Sequence, residues 1–167
     1  MQTIALRSGV FGLALALVAC SSNSTTPAPR HTPLVLTTTS GGYFQVVSGA
    51  PPVITIQFTG VGSDGVSEAT VSFNQTITFG ATTQITAGTF TFTYADGSSL
   101  AGTYSGSGPP PAANGLATAN GNFTVTTGTG RYAGAAGSTG PWNVNALNAA
   151  PGSNPAGTAS ASFTVTL

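Results

Sequence analysis

Apolar and polar residues alternate with a period of two along most of this chain. In Gly88–Tyr94, Phe90, Phe92 and Tyr94 share one face, and Thr89, Thr91 and Thr93 the other. The same alternation runs through residues 53–58, 70–73, 76–79, 122–126 and 162–167. A period of two marks half-buried strands. Aromatic and β-branched side chains suit a pleated surface. The run 99–104 adds a further strand. It is joined to the 88–94 run through Asp96-Gly97, which predicts a type I′ hairpin with positive φ at both turn positions. Gly102 within that run predicts a bulge or a sharp coiling of the sheet. Breaks rich in Gly, Pro and Asn fall at 60–65, 106–114 and 148–157. No window past the N-terminal leader has a helical period.

These runs predict an all-β domain over residues 34–167 with roughly eight strands. An antiparallel barrel is the first choice, because a final strand with nothing after it suits closure and closure removes exposed edges. A two-sheet β-sandwich is the alternative. Residues 141–158 read as a long loop placed to cover a barrel mouth.

The N-terminus has a different pattern. Arg7 precedes an apolar stretch, Val10 to Ala19, that ends in Leu17-Val18-Ala19-Cys20. The stretch is shorter than the roughly 20 residues needed to span a bilayer. Its length and flanks predict a signal peptide over 1–19. The segment before Cys20 resembles a lipobox, which implies acylation of that cysteine. Cys20 is the chain's single cysteine, and a lone exported thiol otherwise invites intermolecular pairing. Residues 20–33 then form a tether rich in Ser, Thr and Pro, expected to be extended. Ser21 after the cysteine implies, by the same resemblance, the outer membrane of a Gram-negative envelope. The lipid anchor makes the membrane a partner.

Composition removes several classes of function. The chain has no lysine, and beyond the leader Arg30 and Arg131 face only Asp64, Glu68 and Asp96. A nucleic-acid binder needs a basic surface for phosphate contacts, which these residues cannot build. The one histidine, His31, falls on the tether, so no Ser-His-Asp or zinc set can form around it. No cofactor, metal or catalytic residue is assigned.

From Phe90 onward three pieces make a recognisable pattern: FTYADGSSLAGTYSG (92–106), GNFTVT (121–126) and TGTGRYAGAAG (127–137). They resemble the allene oxide cyclase and dirigent-like barrels and their bacterial secreted relatives. The resemblance spans residues 86–140 and implies an eight-stranded, calycin-like antiparallel barrel. The plant enzymes' polar pocket residues have no match here, so no activity is carried over. Within the motif, Gly128 and Gly130 are expected to allow a tight turn, Tyr132 to plug one barrel end, and Gly134 and Gly137 to bend the returning strand.

Candidate chemistry is sparse. Arg131 beside a glycine turn suits an anionic head group. The plainer reading has it stacked on Tyr132 or paired with an acid. Asp64 and Glu68 are expected to be solvated turn residues rather than calcium ligands. Trp142 either stacks on a ligand or plugs the barrel. With Tyr94 and Tyr104, the residues Arg131, Tyr132 and Trp142 form the candidate ligand-binding set. Three functions fit: a non-enzymatic barrel lipoprotein that binds a small apolar ligand or serves an envelope role, a cavity enzyme of cyclase or isomerase type, and a surface adhesin.

Overall fold

The computed structural model describes residues 33–49, 53–148 and 157–166. The leader, Cys20, Arg30, His31 and residues 149–156 of the expected loop lie outside the described residues. Eight strands form: β1 (Pro33–Ser48), β2 (Val53–Ser63), β3 (Glu68–Phe79), β4 (Thr83–Tyr94), β5 (Ser99–Gly108), β6 (Leu116–Thr129), β7 (Thr139–Asn148) and β8 (Gly157–Thr166). They close into one barrel in sequence order. Each strand is antiparallel to the next, and β8 returns to β1 through pairs such as Leu36↔Phe163. The barrel expectation is met and the sandwich is excluded.

The strand boundaries correct several expectations. The runs 70–73 and 76–79 are one strand, β3, with Val71, Phe73 and Ile77 buried in phase. The polar Gln75 keeps that phase and lines the interior. Residues 139–148 are strand β7, not loop. Trp142 is buried and Val144 and Ala146 pack on the core, while Asn143 and Asn145 stay exposed. Pro141 is tolerated because its β6-side pair is Asn122, whereas the β8 ladder begins only at Trp142. A proline is accommodated at the end of a ladder, where its missing N–H leaves no strand pairing unmade.

The Asp96-Gly97 turn is also of a different type. Gly97 has φ +81°, but no non-glycine residue among those described has positive φ, so Asp96 cannot sit in a type I′ turn. Instead Gly97 N–H donates to the Tyr94 carbonyl, and Tyr94 N–H to the Ser98 carbonyl. That is a three-residue loop, a type I turn closed by a left-handed glycine. In the motif, β6 runs on through Gly128 to Thr129, and a single 3₁₀ turn covers Gly130–Tyr132. Gly134 and Gly137 have positive φ but belong to the loop before β7 rather than to a bent strand.

Register irregularities keep the apolar set inside. On β4, Thr83 and Ile85 are buried, then Gly88, Phe90, Phe92 and Tyr94. The switch from odd to even positions falls at the bulge between Ile85 and Gly88. A similar shift after Thr38 lets β1 bury both Leu36 and Tyr43. Opposite Gly102 the extra residue is Thr126, on β6. Without these bulges half of each strand would turn its apolar residues outward.

Five inward aromatic residues face a glycine directly across the ladder. The pairs are Tyr43↔Gly157, Phe90↔Gly102, Tyr104↔Gly88, Phe123↔Gly140 and Trp142↔Gly121. At Gly102 an added Cβ would collide with the Phe90 ring and the Thr124 carbonyl. The missing side chain lets the ring lie flat on the neighbouring strand, so large and small residues interdigitate in a narrow barrel.

Candidate functional site

The barrel has two unlike ends, divided by a layer of rings. Phe163 stands at the centre of that layer, with centroids of Phe90, Phe73 and Phe123 at 5.2, 5.4 and 5.4 Å. Most of these contacts are edge-to-face or tilted, the favourable arrangements for aromatic pairs.

The first end carries the turns 64–67 and 95–98, the 130–138 loop, and the start of β1. All four charged side chains of the described residues, Asp64, Glu68, Asp96 and Arg131, lie there. The 3₁₀ turn delivers Arg131 and Tyr132 together. Arg131 Nη2 donates to Asp64 Oδ2 at 2.8 Å, and Nη1 to Asp96 Oδ2 at 3.1 Å. Its guanidinium lies 4.1 Å from the Tyr94 ring centroid and 5.2 Å from that of Tyr132, within cation–π range. Tyr132 donates its O–H to Asp64 Oδ2. Asp64 Oδ1 accepts the backbone N–H groups of Val66 and Ser67, which closes its own turn.

Asp64 is therefore not a solvated turn residue, since only 6% of its side chain is exposed. Burial works against its charge. Hydrogen bonds from Tyr132, Ser67 and Val66, with Arg131 alongside, outweigh burial and hold the carboxyl below its ordinary pKa. Asp96 is also held low, chiefly by the Ser98 N–H and then by Arg131. Burial raises Tyr132 well above the ordinary phenol range, and the carboxylate of Asp64 adds to this. The Arg131 of the candidate set is thus paired with two carboxylates and stacked on two rings. Its pairing and stacking are those of the plainer reading. Glu68 is exposed, and among the described residues no group of three or more His, Cys, Asp or Glu could hold a metal.

The second end is different. Between the ring layer and the turns at 80–82 and 109–115 lies an open cavity of about 160 Å³. One wall is large and aliphatic, with Ile54, Ile56, Ile77 and Ile85 from β2, β3 and β4. The opposite wall is small, with Ala117, Ala119, Ala146, Ala159 and Ala161 from β6, β7 and β8. That shortfall in side-chain volume is what leaves the space. Trp142 and Tyr104 form part of the floor, their centroids 5.0 Å apart. Trp142 Nε1–H is satisfied by the carbonyls of Ser105 and Asn122. The Tyr104 O–H donates to Gln75 Oε1 at 2.8 Å. Burial raises the Tyr104 pKa strongly, so the phenol stays neutral.

The candidate set thus divides. Tyr94, Arg131 and Tyr132 build the charged plug, while Tyr104 and Trp142 face the cavity. Gln75 and the alanine wall were not anticipated. Their one signal in the sequence is alternation on small residues, Ala117-Thr118-Ala119 and Ala159-Ser160-Ala161. No family model matches this chain, and no curated protein or solved structure is significantly similar to it.

Proposed function

We propose that this chain is an extracytoplasmic lipoprotein, anchored through Cys20 in the outer membrane of a Gram-negative envelope. In this reading its barrel is a non-enzymatic binder of a small apolar molecule, kin to the allene oxide cyclase and dirigent-like barrels. The observation that carries it is the open, apolar cavity at one end of an otherwise closely packed barrel. A concave apolar site with a few polar groups is the usual form of a small-molecule pocket. The three acids of the described residues all belong to the far end, so a cyclase or isomerase mechanism would lack a carboxylate at the cavity. The first strand starts at the charged end. A lipid on Cys20 would therefore join the barrel there and leave the cavity mouth at the opposite end.

Native mass spectrometry of the Cys20→Ser protein, purified from a bacterial periplasm without denaturation, tests the binding role. A reproducible extra mass that is lost on unfolding is the expected result. A clean apo mass after soaking with apolar compounds would reject the binding role. In a parallel test, Ala159→Leu fills the cavity from its small wall and should abolish the extra mass while leaving the fold intact.

A further inference from the structure

We infer that the cavity selects a small neutral molecule, about the size of a substituted benzene, that carries a hydrogen-bond acceptor for Gln75 Nε2. This rests on the ligand-binding reading above and names the class of ligand. Three observations carry it.

The first is charge. Among the described residues, no Asp, Glu, Lys, Arg or His lines the cavity. The one cation among the described residues, Arg131, is at the other end and is held by Asp64 and Asp96. A carboxylate moved into this site would lose its water and gain no counter-charge, a large penalty. A small anion whose carboxylate must enter the cavity is therefore disfavoured.

The second is the polar handle. Gln75 stands at an inward position of β3, among Phe73, Ile77 and Phe79. Its Oε1 takes the Tyr104 proton, which orients the amide. Its Nε2 donates to no acceptor among the described residues. The other buried hydroxyls near the cavity are occupied. Thr83 donates to the Pro109 carbonyl, and Thr38 exchanges hydrogen bonds with the Ala161 backbone. Gln45, Thr118 and Ser160 also line the cavity, but Gln45 and Ser160 are exposed, so Gln75 is the amide donor set among its apolar residues. A ligand with a carbonyl or ether oxygen satisfies it, and a hydrocarbon leaves it unpaired.

The third is size. Apolar cavities of about 150 Å³ accept benzene, and this one has about 160 Å³. Its open mouth allows a substituent to project outward.

The test uses the full chain carrying Cys20→Ser, so that no acyl chain competes for the cavity. Trp142, the single tryptophan, is in the cavity wall and reports binding by its fluorescence. Three probes of nearly equal size are titrated at pH 7: acetophenone, ethylbenzene and benzoate. We expect acetophenone and ethylbenzene to bind and benzoate not to bind. Gln75→Leu should weaken acetophenone by about threefold to tenfold, the scale of one hydrogen bond, without weakening ethylbenzene. Tyr104→Phe, which frees the amide without removing it, should weaken acetophenone less. If Gln75→Leu proves unfolded by circular dichroism, Tyr104→Phe carries the same comparison. Equal loss of both neutral probes, or no loss of either, would overturn the role of Gln75 while leaving an apolar pocket. Binding of benzoate as tight as that of acetophenone would overturn the neutral class. If no probe binds the folded protein, the ligand-binding reading itself fails.

Discussion

The two ends of this barrel are built from the same strands, yet they handle polarity in opposite ways. At one end Asp64, Asp96, Arg131, Tyr94 and Tyr132 lock into a single network. Asp64, Asp96 and Arg131 are partnered inside the protein, while Glu68 at the same end is exposed, and beneath the network Leu36, Val71, Phe92, Leu100 and Val165 are completely buried. At the other end none of the described residues is charged, and the aliphatic side chains stop short of filling the space. An end whose buried carboxylate and arginine are already paired offers an anion little. An end that is uncharged and under-filled offers a ligand a place. Charged residues that stand out in a sequence can thus be spent on holding the fold, while open space forms where side chains are small.

The central layer separates the ends, and removing it should have the largest effect. Phe163→Ala deletes the ring on which the layer converges and is expected to cost about 3–5 kcal/mol, the usual range for a buried Phe truncation. Urea unfolding followed by circular dichroism measures it. A loss below that of an ordinary surface change would mean the layer is not a packed core.

Breaking the charged plug comes next. Asp64→Ala removes the acceptor for Arg131, for Tyr132 and for two turn amides. Because Arg131 is partly exposed, water replaces some of what is lost, and a cost of about 2–3 kcal/mol is expected. The cavity should remain, so binding of an apolar probe at the far end should be unchanged. Parallel loss of stability and binding would show that the ends are not independent.

Acid should act on the same end. The folded-state pKa values of Asp64 and Asp96 are both depressed. Their stabilising contribution is therefore complete above the unfolded carboxylate value of about 3.9 and is lost as pH falls through the lower folded values. Thermal melts from pH 7 downward should show little change until about pH 4 and then a decline. Asp64→Asn should flatten that decline. An equally steep decline in the variant would place the acid sensitivity elsewhere.

The smallest expected effect lies at the open end. Ile54 is only partly buried and borders existing space. Ile54→Ala should cost about 1 kcal/mol, well below the 2–5 kcal/mol of a fully packed site, yet it should alter probe affinity. A penalty as large as that of Phe163→Ala would contradict an open cavity.

Much of this architecture is legible along the chain, and the exceptions have physical causes. Strands β2, β4, β5, β6 and β8 announce themselves because each carries an unbroken stretch of alternation. Strand β1 was not recognised, since its bulge after Thr38 switches the inward phase and hides Leu36 and Tyr43 from a single period. Strand β7 reads as loop in the sequence because Pro141, Asn143 and Asn145 outweigh the alternating Trp142, Val144 and Ala146. Asp64 looked solvated because nothing nearby in the sequence hints that Arg131, 67 positions later, reaches back to it. The cavity was hidden for a related reason. Alanine marks no site in isolation, and only the adjacency of β6, β7 and β8 gathers five of them opposite four isoleucines.

Local pattern thus settled the class of fold, because alternation follows from the two-residue repeat of a strand and needs no knowledge of its neighbours. It also settled what the protein lacks, because the charges and histidines available are a matter of composition. Closure into a barrel, the pairing of each ring with a glycine, the union of Asp64 with Arg131 and the position of the empty space were decided in three dimensions. Each of these depends on which strands lie side by side and in what register, and register is set by long-range pairing that a linear pattern does not contain.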